Sequence, residues 1–212
     1  MGTMAAVKEV KDLGITVTGT LKPGTQCQQA YAKASRALGL IARSISYKSP
    51  EVLLKLYKTL VRPHVEYCVS AWSPYYVKDK ALIERIQHRF TRMVPGLKSL
   101  PYEERLDRLG LWTLQERRNR ADLLQVFKLY KGWSTTSFSS FFTTSTVTNT
   151  RGHTAKINKP RCHLELRRSF FSYRVIDRWN KLPQSVIDSG TINAFKNGPD
   201  TLRKNRMGFF TD

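Results

Sequence analysis

The chain has 212 residues, 41% hydrophobic and 25% charged, which is enough for one real core with a smaller appendage and ordinary for a folded domain. Its charge is not ordinary: thirty-six Lys and Arg against sixteen Asp and Glu give a formal net charge of +20 and a pI near 10.2. Such an excess repels itself in a compact state and predicts a polyanionic partner, while the lack of a continuous apolar span argues against insertion into a membrane.

The first residues, MGTMAAVKEVKDLG, lack the apolar core of a signal peptide, and Ala6 stands where a myristoylation signal wants Ser or Thr. The expected setting is therefore intracellular, nuclear or cytoplasmic, with no membrane as partner. Cys27, Cys68 and Cys162 are odd in number and far apart. That excludes a dense disulfide framework and fits a reducing compartment.

Residues 8–24 predict a short strand or hairpin: Ile15, Val17 and Leu21 alternate with threonines, and Pro23-Gly24 closes the run. A helix follows, with Ala30, Ala34, Ala37/Leu38, Ile41 and Ile45 on one face and Lys33, Arg36 and Arg43 on another. Ser49-Pro50-Glu51 opens the next: a capping hydroxyl, a proline in the first turn and an acid at the positive end. Its apolar face is Val52, Leu53, Leu56, Tyr57, Leu60 and Val61, and Pro63 is expected to end or kink it. Helical spacing resumes over 64–72, with Val65, Cys68, Val69 and Trp72 pointing inward. Residues 78–94 are amphipathic, with an apolar stripe of Leu82, Ile86, Phe90 and Met93 beside a basic stripe of Arg85, Arg89 and Arg92.

A short helix over 101–109 stops at Gly110. Thr113-Leu-Gln-Glu116 is a capping box for a helix to about Lys131, with Leu123, Val126, Phe127 and Tyr130 on its core side and Arg117, Arg120, Lys128 and Lys131 on a basic flank. Residues 133–150 are rich in Ser and Thr and nearly uncharged, a linker that Phe138, Phe141 and Phe142 pin locally. Beyond it, 169–179 suits a helix or a strand. Thr191 starts a helix that Gly198-Pro199 is expected to stop. The fold class is mainly α: an N-terminal strand or hairpin (1–24), a helical bundle (25–131), a linker (132–150) and a less regular basic tail (151–212).

Chemistry is scarce in this pattern. Metal-dependent phosphoryl transfer needs clustered carboxylates, and the sequence has no Asp-Asp pair, no glycine-rich phosphate loop, no Gly-x-Ser-x-Gly and no His-Glu-x-x-His. His64 and Cys68 are four apart, half of a zinc site if two more ligands join them and plain helix filling if they do not. The other adjacent Cys/His pair is Cys162-His163. No catalytic residue, metal site or cofactor is assigned to this chain. The basic stripes carry the stronger signal, because Arg rows neutralise successive phosphates without reading bases. Trp72, Trp112, Trp133 and Trp179 can stack on bases, but core packing is the expected fate of each.

The succession KDLGITVTGTLKPG, LLKLYKTLVRPHVEYCVSAWSPY, LIERIQHRFTRMVPGLKSLPYEERLDRLGLWTLQERRNRADLLQVFKLYKG, TRGH and FFSYRVIDRWNKLP resembles the C-terminal part of the reverse transcriptase of LINE-type, non-LTR retrotransposons of the jockey-like kind. The resemblance spans residues 7–197. It implies that Lys11, Leu13 and Gly14 belong to the primer-grip turn at the palm–thumb junction, where glycine permits close backbone approach. It implies too that 27–131 is a thumb clasping a template–primer duplex by its backbone, with Arg85, Arg89, Arg92, Arg117 and Arg120 as the contacts expected from the basic stripes. The family's Tyr/Phe-x-Asp-Asp motif, which holds magnesium, lies N-terminal to the primer grip and is not in this sequence. The expectation is an RNA or RNA–DNA duplex binder, without polymerase activity of its own, working beside a palm-bearing segment. A relic or incomplete gene model without independent activity, and a stand-alone basic RNA-binding module, are the alternatives.

Overall fold

A two-residue turn organises the N-terminal end. In the computed structural model, which describes residues 8–145, 152–205 and 209–210, β1 (Glu9–Asp12) pairs antiparallel with β2 (Ile15–Thr18) in the register Glu9↔Thr18 to Asp12↔Ile15. Leu13 and Gly14 make the turn at φ 44° and 85°, the positive values that match the twist of a tight hairpin. Glycine adopts them freely; leucine does so at a cost. The hairpin docks through Thr16, whose N–H donates to Gln26 Oε1 (2.9 Å) and whose hydroxyl donates to Gln29 Oε1 (2.8 Å).

The chain divides into two compact units, Met1–Leu114 and Gln115–Asp212, and is mainly helical with a short hairpin near its start. In the first unit, α1 (Gly24–Ser44) buries Cys27, Ala30, Ala34, Leu38 and Ile41. The alanines keep that face low, so α1 packs closely against α5 (Val77–Met93) as well as the helical stretch that precedes α5. That stretch begins at α2 (Pro50–Leu56), where the Ser49 hydroxyl caps the Val52 N–H at 3.2 Å.

Instead of ending before Pro63, the helix widens. Tyr57–Val61 is a π turn closed by Arg62 N–H to Tyr57 O (2.9 Å), and Pro63 opens α3 (Pro63–Glu66). A proline in an α-helix strikes the carbonyl four residues back; the π turn moves that carbonyl aside and lets the chain continue. Along this stretch Leu53, Tyr57, Val61 and Val65 are buried, while Val52 and Leu60 stay exposed.

The expectation that Cys68 packs inward is corrected. Tyr67 is extended and Cys68 takes φ 50°, so the chain breaks there and the thiol is exposed. Only then does α4 (Val69–Trp72) bury Val69 and Trp72. The apolar stripe of α5 keeps Ile86 and Phe90 buried as expected, but Ile83 joins them in place of Leu82 and Met93, which are half-buried. Phe90 stacks on Tyr57 with ring centres 4.0 Å apart. α6 (Tyr102–Leu109) ends at Gly110 (φ 58°), with Leu111 N–H returning to Leu106 O at 2.9 Å, the closure that a left-handed C-cap makes possible.

In the second unit, α7 (Leu114–Tyr130) buries Leu123, Val126, Phe127 and Leu129, but Tyr130 is partly exposed. Phe127 stacks on Phe195 (4.0 Å), and Trp179 lies behind Phe195 (6.3 Å). Four short helices follow the linker: α8 (Glu165–Ser169), α9 (Phe171–Arg174), α10 (Ile176–Asn180) and α11 (Gln184–Ile187). Arg174 grips Asp122 of α7 with two bonds, Nε to Oδ2 at 2.8 Å and Nη2 to Oδ1 at 3.0 Å. Trp179 Nε1 donates to Ala155 O (2.8 Å), and Asn180 exchanges bonds with the backbone of Ile157 (2.8 and 2.9 Å), fastening the preceding loop. In the linker, Phe142 is buried beside Phe171 (5.7 Å).

The last helix overrides its own sequence. α12 (Ile192–Asn205) starts at Thr191, whose hydroxyl accepts from Ala194 N–H (3.1 Å), and runs through Gly198-Pro199 instead of stopping there. A Cβ on Gly198 would overlap Val186, with Val186 Cγ1 at 2.8 Å. Glycine is therefore what lets α12 lie on α11, and that packing with buried Phe195 holds the helix together past the proline. Among the described residues no helix is long and apolar enough to cross a membrane.

Candidate nucleic-acid interface

The exposed basic row of α5 is set by what the other side of that helix must bury. Gln87 is completely buried: its Oε1 accepts from Tyr57 Oη (2.8 Å), and its Nε2 donates to Trp112 O (2.9 Å) and Tyr102 Oη (3.1 Å). Glu84 receives the Leu114 N–H at 3.0 and 3.1 Å and the Tyr102 hydroxyl at 2.5 Å. Burial and the Glu84 carboxylate push the Tyr102 phenol far above its ordinary range, so it stays a donor. With Ile83, Glu84, Gln87 and Phe90 engaged inward, Arg85, Arg89 and Arg92 are left on the outside. Seven residues of helix place these three guanidinium groups along about 10 Å, roughly the axial rise of three base pairs.

α1 supplies the polar neighbours of this row. Arg89 Nη1 donates to Ser35 Oγ at 3.0 Å. The half-buried Tyr31 phenol is held below its usual range by its hydrogen bond with Ser35, opposed by burial and reinforced by Arg89 and Arg85. Tyr31 and Ser35 sit one helical turn apart, so they meet the arginines of α5 as a pair. The sequence holds no signal for this pairing, because only the α1–α5 contact brings them together.

The hairpin tip is a second feature of the same unit. Leu13 is 83% exposed, and its carbonyl accepts from Tyr67 Oη at 3.2 Å. Gly14 lies against the same ring, so that an added Cβ would come 3.9 Å from Tyr67 Cε1. Lys11 is exposed on β1 opposite Thr16. Gly14 opens onto a cavity of about 230 Å³ whose walls include Gln26, Lys33, His64 and Tyr67. His64 thus sits near the tip, whereas Cys68 is exposed on a broken backbone.

Not every arginine is available. Arg105 is buried and donates to Thr91 Oγ1 (2.9 Å) and His88 O (3.2 Å). In the second unit Arg118 is buried, and Arg117 and Arg120 are half-buried, with Arg120 Nη2 donating to Lys196 O at 3.1 Å. Lys131 lies over the Phe127 and Tyr130 rings at 5.5 and 5.7 Å. Trp72 and Trp179 are core residues, Trp112 is half-buried, and Trp133 is half exposed with its edge toward Phe127 (5.6 Å).

Among the described residues no group of three or more His, Cys, Asp or Glu side chains is placed to hold a metal ion. His153 is buried with Nε2 at 2.9 Å from Trp179 O, and burial holds its basicity below the usual value. Comparison of the chain with protein-family models, with curated proteins and with solved structures finds no match in any of the three.

Proposed function

We propose that this chain is a nucleic-acid-binding module that grips RNA, or an RNA–DNA duplex, by its sugar–phosphate backbone, in the manner of the thumb of a non-LTR retrotransposon reverse transcriptase. The observation that carries the reading is the outward row of Arg85, Arg89 and Arg92 beside Tyr31 and Ser35, on a chain of net charge +20. An arginine row of this spacing neutralises consecutive phosphates and releases their counterions. It supplies affinity with no base readout.

The hairpin tip fits the primer-grip role that the resemblance gives Lys11, Leu13 and Gly14. A backbone turn with an exposed lysine beside it and a glycine at its apex lets a strand end approach closely. Arg117 and Arg120 are assigned the lesser share, since Arg120 already serves the Lys196 carbonyl. Catalysis is not part of the proposal, because the carboxylates that hold magnesium in that family have no counterpart in this sequence.

A titration of the full chain with labelled RNA and RNA–DNA duplex at rising salt tests this. Affinity should fall linearly on logarithmic axes, by about 0.7 to 0.9 per phosphate neutralised. An affinity indifferent to salt overturns the reading.

The hairpin supports one addition. Val10, Leu13, Val17 and Leu21 are all exposed on it, an apolar cluster unusual for a small two-stranded unit. We propose that this face packs against a palm-bearing polymerase segment. Primer extension by the chain alone, with magnesium, should be nil.

A further inference from the structure

Asp79 stands in the first turn of α5 at 5% exposure. It lines a groove of about 640 Å³ together with Gly24 and Thr25 at the start of α1 and with Lys22, Lys78 and Arg85. A Cβ built on Gly24 would lie 3.7 Å from Asp79 Oδ2, so the carboxylate faces the first turn of α1. That helix begins at Pro23 with no side-chain cap and no acid in its first turn. Asp79 therefore supplies the negative charge that the positive helix end favours.

This accounts for the charge of Asp79 but not for its hydrogen bonding. Oδ2 is buried and has no hydrogen-bond partner among the described residues, a state that a donor from a ligand relieves. The nearby hydroxyls are committed elsewhere: Thr25 donates to Glu9 Oε1 (3.3 Å) and Thr18 to Lys22 O (3.2 Å). The rim around Asp79 is cationic, and Lys22, Lys78 and Arg85 form no ion pair among the described residues. Tyr76 adds an aromatic wall, with Lys78 Nζ 5.9 Å from its ring centre. The volume falls within the range of small-ligand sites, about 300–1,000 Å³.

A ligand for this groove must bring negative charge to the rim and a neutral hydrogen-bond donor to the floor. Phosphate alone does only the first, and Asp79 would repel it. We infer that the groove is a ribose-reading subsite that takes one ribonucleotide unit of a bound RNA strand, its phosphate against Lys22, Lys78 and Arg85 and its 2′-hydroxyl donating to Asp79 Oδ2. The 2′-hydroxyl recurs at every nucleotide whatever the base, and it is the group by which a protein tells RNA from DNA. A deoxyribose strand satisfies the rim and leaves Oδ2 without a donor. The inference rests on the nucleic-acid reading above and adds a sugar preference to it.

The test uses the full chain and three single strands of one sequence: RNA, DNA and 2′-O-methyl RNA, compared by fluorescence anisotropy at fixed salt. RNA should bind about tenfold tighter than DNA, the lower end of a hydrogen bond to a charged group. The methylated strand, which has no such donor, should bind like DNA. Asp79→Ala should bring the RNA-to-DNA affinity ratio to about one, whereas Arg85→Ala should weaken both strands and keep the ratio. A preference that survives 2′-O-methylation overturns the inference, and so does one that survives a folded Asp79→Ala. If that variant does not fold, the three strands on the unaltered protein still decide. Salt-dependent binding without any RNA preference overturns this inference alone; no binding to any single strand overturns it as well, and if an RNA–DNA duplex also fails to bind, the nucleic-acid reading falls with it.

Discussion

The Tyr57 hydroxyl donates to Gln87 Oε1 at 2.8 Å in a site where both side chains are completely buried. Because Gln87 also donates to Trp112 O and Tyr102 Oη, one amide joins the π turn, α5, α6 and the segment leading to α7. Replacing Gln87 by Leu deletes these bonds, together with a longer one to Glu84 Oε1 (3.5 Å), and strands buried polar groups, so the expected loss is about 2–4 kcal/mol in a urea melt. Tyr57→Phe removes one donor and should cost about 1–3 kcal/mol.

Exposure rather than arginine content should decide which substitutions affect binding. Changing Arg85, Arg89 and Arg92 together to Ala should weaken RNA binding and flatten the logarithmic salt slope by about 2–3, since each phosphate left without its arginine subtracts close to one. Thermal stability should change little, since all three are exposed. Arg105→Ala, by contrast, should destabilise the fold, because that guanidinium bonds Thr91 and His88 in the interior. Anisotropy titrations paired with melts separate the two kinds of arginine.

Gly198 and Val186 should behave as a coupled pair. Gly198→Ala places a methyl group against Val186 Cβ, 3.1 Å away on an ideal backbone, and should cost about 1–3 kcal/mol by overpacking. Val186→Ala opens a small cavity by itself. The double variant should be more stable than the sum of the two losses predicts, and a double-mutant cycle measures this.

Burial lowers the basicity of His153 in the folded chain, while in the unfolded chain the ring titrates near its ordinary value of 6.5. Below that pH the unfolded state takes up a proton that the folded state refuses. Stability should therefore fall as the pH drops below about 6.5 and level off below the folded pKa. His88 adds the same sign, through burial and then the charges of Arg105 and Arg92. Denaturant melts of the protein and of His153→Gln at pH 7 and pH 5 check this: the variant should lose less stability between the two.

Local signals in the sequence read true where one residue type suffices. Ser49 caps its helix, Gly110 ends another, and the alanine face of α1 is buried where the spacing predicts. The failures arise where tertiary contacts outweigh local preference. Gln87 is polar, so a periodicity argument leaves it outside, and only its bonds to Tyr57, Tyr102 and Trp112 explain why it is not. Cys68 fits a helical face by number but follows a break that no local residue announces. Pro199 is a sound stop signal, overridden by the seat that Gly198 makes on Val186. In the proposed interface, the outward placement of Arg85, Arg89 and Arg92 follows the spacing that the sequence predicts. Tyr31, Ser35 and Asp79 could not be read that way, because their meaning depends on α1 lying against α5.

The turn from Tyr57 to Val61 carries a further consequence. A π turn holds one residue more than the α-helix would, and each residue in an α-helix turns the chain by about 100°. Removing one of those five residues would restore α spacing and bring the Pro63 ring back against the carbonyl four residues before it. The turn thus absorbs one residue while keeping Val65 in the core and Tyr67 on the Leu13 carbonyl. In this stretch the number of residues is under tighter constraint than their identity, so insertions and deletions here should be tolerated far less well than substitutions.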